Sequence, residues 1–94
     1  MVAPVAIGAI GDANMELNRV DEAIKYYLKA SEKSSNSFTT PLYLKKAAFA
    51  YEQKANYTEA LATYERLKNE YSKSTEAREV DKYIARVKTL GNIQ

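Results

Sequence analysis

Apolar residues recur at helical spacing in two separate stretches of the chain. Val20, Ala23, Ile24, Tyr27 and Leu28 make one stripe, and Tyr57, Ala60, Leu61, Tyr64 and Leu67 make another, 37 positions later. Steps of three and four residues place each set on one face of a helix, so both stretches read as amphipathic helices. Each follows a second helical run, Pro4 to about Leu17 in the first copy and Pro41 to about Lys54 in the second. Proline suits the first turn of a helix, where its missing N–H has no partner to lose. Thr40 is the expected N-cap before Pro41, and Asn18 and Asn56 mark short turns inside the pairs.

The repetition extends beyond the stripes. Sliding the chain by 37 residues sets Pro4 on Pro41, Ala13 on Ala50, Glu22 on Glu59, Ala23 on Ala60, Tyr27 on Tyr64 and Ser35 on Ser72. Ile7 falls on Leu44, Val20 on Tyr57 and Ile24 on Leu61. A period in this range is the signature of stacked helical units that cannot bury their apolar faces alone. Residues 31–40, rich in serine, threonine and asparagine, separate the two pairs, because such side chains compete with helical backbone bonding. After Tyr71 a second break leads to a fifth helix, capped by Ser74 or Thr75 and running to about Leu90, with Gly91 at its end. Its stripe is Ala77, Val80, Ile84 and Val87, with Tyr83 beside it. It resembles half a repeat: a shift of 36 brings Leu44, Ala47, Ala48 and Tyr51 onto Val80, Tyr83, Ile84 and Val87. The expected architecture is all-α, a superhelix of antiparallel helix hairpins in a single domain over 1–94. Its units are repeat one at about 4–37, repeat two at about 41–74 and a capping helix at about 75–90.

Composition adds boundaries. Ninety-four residues, 46% apolar and 28% charged, suit one small soluble domain and not a disordered tail. A net charge of +2 provides no strong field to gather nucleic acid or anionic membrane. Cysteine is absent, which removes disulfides, thiolate metal sites and cysteine nucleophiles and leaves the compartment open. The opening 17 residues have no charged leader, too short an apolar run for a membrane span, and an early Asp12. They read as a soluble start, one equally suited to a piece of a longer protein.

Candidate chemistry is sparse. Without histidine the usual general base near neutral pH is missing, and so is the commonest metal ligand. Asp21 with Glu22, and Glu79 with Asp81, lie on lysine- and arginine-rich helices and read as solvated faces. The glycines of residues 8–11 follow no strand and precede no P-loop lysine, so Gly11 reads as a point of close helix packing. Residues 56–58 match a glycosylation acceptor by pattern alone. Eight tyrosines suggest base stacking, but Tyr27, Tyr51, Tyr57 and Tyr64 fall on core stripes. No catalytic constellation, metal site or cofactor site is expected.

Together these residues resemble the tetratricopeptide repeat. Ile7, Gly11, Ala23, Tyr27 and Ala30 in the first copy, and Leu44, Ala48, Tyr51, Tyr57, Ala60, Tyr64 and Leu67 in the second, follow the large and small positions of that family. The chain departs from the pattern in having no tryptophan, Asn14 at an aromatic position, Leu67 at a small one, and Ser35 and Ser72 in place of closing prolines. Residues 64–88 are also similar to repeat proteins of bacterial envelopes, which implies a bacterial parent protein associated with the envelope and leaves the compartment, cytoplasm or periplasm, open.

The second stripe of helix three is Leu42, Lys45, Phe49 and Glu52, and that of helix one is Val5, Gly8, Asp12 and Met15. By resemblance this face lines a concave groove that takes an extended peptide or a partner helix. Arg78, Asp81, Lys82 and Ala85 would extend the wall. The candidate partner-binding residues are therefore Asp12, Met15, Leu42, Lys45, Phe49, Glu52, Arg78 and Lys82. Phe49 is either an interface anchor or a residue packed against helix five. Gly8 and Asp12 stand where some family members carry a lysine and an asparagine that grip a peptide's terminal carboxylate, so such a clamp is not expected. The leading function is a non-catalytic module binding another protein or peptide as a scaffold or adaptor. Its rival is a section of a longer solenoid, or a homodimer joined through exposed repeat faces. Nucleic-acid binding and membrane insertion are not expected.

Overall fold

The computed structural model describes residues 3–34 and 38–94. It contains five α-helices, α1 (Pro4–Glu16), α2 (Val20–Ser34), α3 (Thr39–Gln53), α4 (Tyr57–Glu70) and α5 (Val80–Leu90), with a 3-10 turn at Thr75–Ala77. No strand occurs among the described residues. Each helix packs on its neighbour in the chain, and α1 also meets α3. The result is a slab of 41 × 31 × 15 Å in which α1, α3 and α5 form one row and α2 and α4 the other. Ser35 and the expected boundary of the first repeat at 37 lie outside the described residues.

The local signals explain how the first helix of each unit stops. At the end of α1, Asn18 takes a left-handed φ of 59°, and the N–H groups of Asn18 and Arg19 return to the carbonyls of Met15 and Asn14 at 3.0 and 2.8 Å. α3 ends the same way through Ala55, φ 59°, with Ala55 and Asn56 bonded to Glu52 and Tyr51, both at 2.9 Å. α5 closes through Asn92, φ 53°, with Asn92 and Ile93 bonded to Thr89 and Lys88. The left-handed residue there is Asn92 and not Gly91, whose φ is −91°. Asn56 instead caps α4, its side-chain oxygen accepting from the Glu59 N–H.

Two expected caps behave differently. α3 begins at Thr39, one residue before the expected N-cap Thr40. The buried Thr40 hydroxyl donates to the Ser31 carbonyl at 3.3 Å, tying the end of α2 to the start of α3. Ser74 does cap, but it caps the 3-10 turn by accepting from the Ala77 N–H at 3.2 Å, and it donates to the Tyr71 carbonyl at 2.7 Å. The fifth helix accordingly starts at Val80 rather than near 75. The 3-10 turn ahead of it still buries Ala77.

Two apolar clusters hold the slab together. Ile7, Ala23, Ile24, Tyr27, Ala30, Tyr43, Ala47 and Ala50 make the first, and Ala48, Ala60, Tyr64, Leu67, Ala77, Val80, Tyr83 and Val87 the second. α3 contributes to both, and Tyr51 packs against both. Ala23 and Ala60 are fully inaccessible, which is why nothing larger fits where adjacent helices cross. The two glycines of α1 serve the same end. A Cβ at Gly8 would meet the Tyr43 ring at 2.2 Å, and one at Gly11 the Tyr27 ring at 2.7 Å. Gly8 thus lies beneath Tyr43 and does not join the outward stripe expected for it.

Candidate interaction surface

The row formed by α1, α3 and α5 is stitched by two carboxylate bridges. Asp12 on α1 receives Lys46 of α3 at 2.9 and 3.1 Å and the Tyr27 hydroxyl of α2 at 2.5 Å. Burial pushes the Asp12 carboxyl up, but the hydrogen bonds from Tyr27 and Lys46 outweigh it and hold it below its ordinary value. Glu52 on α3 receives the Arg86 guanidinium of α5 as a fork, 2.9 Å to Oε1 and 2.6 Å to Oε2, and also the Tyr64 hydroxyl of α4. Tyr27 and Tyr64 are both held well above the ordinary phenol value, first by burial and then by the carboxylate each one serves. Hydrogen bonding to Glu52 raises Arg86 against the opposing effect of burial.

Beside the second bridge lies an aromatic group capped by two cations. Phe49 is half-buried and meets Tyr64 and Tyr83 edge to face, at centroid distances of 6.0 and 5.3 Å. Lys45 Nζ sits 5.6 Å from the Phe49 centroid and 5.5 Å from that of Tyr83, and the Arg86 guanidinium sits 5.8 and 5.0 Å from the same two rings. Arg86 is neutralised by Glu52, whereas no ion pair to Lys45 occurs among the described residues.

The expected site residues divide accordingly. Lys45 and Phe49 come together with Tyr83 and Arg86 on α5. Asp12 and Glu52 lie on α1 and α3, and both are engaged in bridges between helices. Met15 and Leu42 are half-buried against the first cluster. Arg78 and Lys82 are exposed, with Lys82 bonded to Glu79 at 3.4 Å, and neither shares a ring contact or hydrogen bond with the aromatic group. The bridging cations Lys46 and Arg86 were not among the expected site residues. A signal was there: Asp12 to Lys46 and Glu52 to Arg86 both span 34 residues. Elsewhere, a cleft of about 570 Å³ beside the loop after α4 is lined by Phe38 and residues 70–76, none of them a candidate. Among the described residues no cluster of carboxylates could hold a metal ion, and no helix is long and apolar enough to cross a membrane.

A family model described as the tetratricopeptide repeat matches residues 43–74. The chain carries a tetratricopeptide repeat. The matched segment takes in α3 beyond its first turn, all of α4 and the descent to Ser74. The tetratricopeptide helix pair is thus the unit that holds Lys45, Phe49, Glu52 and Tyr64, and α5 is the next helix against it. No curated protein and no solved structure matches the chain.

Proposed function

We propose that the chain is a non-catalytic protein-interaction module, and that the face shared by α1, α3 and α5 receives a segment of another protein. The observation that carries this reading is the group of Lys45, Phe49, Tyr83 and Arg86, where two cations lie over a half-buried and a buried aromatic ring at the junction of α3 and α5. Aromatic side chains and arginine dominate binding hot spots because they supply large apolar area together with directed polar contacts. The bridges through Asp12 and Glu52 support the reading by fixing the row in advance, so a partner would not bear the cost of ordering it. The tetratricopeptide repeat supports protein partners in general.

The test is a peptide array probed with the wild-type chain and with the variants Lys45→Glu and Phe49→Ala, after circular dichroism confirms that each is folded. Loss of captured peptides in both variants is the expected result. Capture unchanged in both would remove this face from the binding role.

A further inference from the structure

The cations on the row of α1, α3 and α5 are not equally satisfied. Lys46 pairs with Asp12, Arg86 with Glu52 and Lys82 with Glu79. Lys45 is half-buried, with its ammonium 5.6 and 5.5 Å from the centroids of Phe49 and Tyr83, and among the described residues no carboxylate pairs with it. An aromatic face attracts a cation but does not neutralise it, so a positive charge is left standing at the junction of α3 and α5.

The charge along the row is also uneven. α1 carries Asp12 and Glu16 and no cation. α3 and α5 carry two and three cations respectively, against one acid each, Glu52 and Asp81. Neither of those acids faces a newcomer unspent. Glu52 is held by Arg86 and Tyr64, and Asp81 by Lys68 of α4 at 2.7 Å.

We infer that the segment bound on this row places an acidic side chain on Lys45, so that its carboxylate lies at the α3–α5 end and not over α1; this rests on the binding role proposed for the row. The chemistry is that of a charge-assisted contact in which one partner is set in advance. Two rings already hold the lysine, so pairing costs less side-chain freedom than it would at an isolated surface lysine. A segment with a basic residue in the same place would meet Lys45 with no free carboxylate to offset the repulsion, and the row thereby selects against it.

The probe is an array of short random peptides, acetylated and amidated so that only side chains supply carboxylates. Each sequence captured by the wild-type chain is reprinted with a single Glu, and with a single Gln, at every position in turn. At one position the Glu form should bind about fivefold more strongly than the Gln form, the most that a partly exposed ion pair gives, and raised salt should narrow the difference. Lys45→Gln should erase it and Lys45→Glu should invert it. Lys88→Gln, which removes an exposed cation of α5 outside the ring group, should leave it intact. Equal binding of the two forms at every position, with Phe49→Ala still abolishing capture, keeps the row as a binding surface and overturns the acidic partner. A Glu preference that survives Lys45→Gln overturns it as well. No capture at all, or capture that neither Phe49→Ala nor Lys45→Glu reduces, removes the binding role of the row and this inference with it.

Discussion

Arg86 reaches across 34 residues of chain to grip Glu52 with two parallel hydrogen bonds, and the Tyr64 hydroxyl joins the same carboxylate from a third helix. Glu52 is the better-shielded partner, its side chain 12% exposed against 41% for Arg86. Removing the acid strands a buried phenol and a cation together, whereas removing Arg86 leaves Glu52 its tyrosine. Glu52→Ala should therefore cost about 2 kcal/mol of stability and Arg86→Ala about 1 kcal/mol after allowance for solvent screening. Chemical denaturation of the two variants measures both, and equal costs would show that Tyr64 contributes nothing to the bridge.

The pH dependence has two limbs. Asp12 sits below its ordinary 3.8 in the folded chain, so its contribution is present above that value and fades as the pH falls through its folded pKa. Asp12→Asn should flatten the acid limb of a stability profile. Tyr27 and Tyr64 sit above their ordinary 10.0, so their contribution is complete below that value and is lost as the pH climbs towards their folded pKa. In an alkaline titration these two phenols should ionise only as helical circular dichroism disappears. If all eight tyrosines titrate before the helices melt, the two hydroxyls are not held as described.

Gly11→Ala should destabilise the chain although alanine is the better helix former. Helix propensity favours the change by about 1 kcal/mol. The added methyl, however, meets the ring of Tyr27 at 2.7 Å, and that ring is held by burial and by its bond to Asp12. Overpacking at such a point costs about 1–3 kcal/mol, so the net effect should be a lowered melting temperature. A raised one would show that α1 can shift away from α2.

Ala55→Gly should do the reverse. Ala55 stops α3 in the left-handed region, where an alanine costs roughly 1–2 kcal/mol relative to glycine. The substitution should stabilise by about 1 kcal/mol in a thermal melt. Asn18→Gly, at the matching turn of the first pair, should gain less because asparagine tolerates that conformation better.

The helices and their pairing were legible because Tyr27 and Tyr64, like Ala23 and Ala60, repeat in sequence what they repeat in space. Burial of that kind is written in residue type and period. The caps were less legible: Thr40 is a good N-cap by chemistry, yet tertiary packing gave its hydroxyl to Ser31. Of the candidate surface, the position of Phe49 could be read from helical geometry. The charge partners could not, because Lys46 and Arg86 reach neighbouring helices through long side chains whose rotamers no periodicity records.

Because α3 lends one side to each apolar cluster, it is the common wall of the molecule, and neither half can be taken down without exposing it. Hydrogen exchange should then be slowest in the middle of α3, with α1 and α5 fraying at the flanks. The middle helix would be the last to let go, and the ends would be free to respond to whatever docks on them.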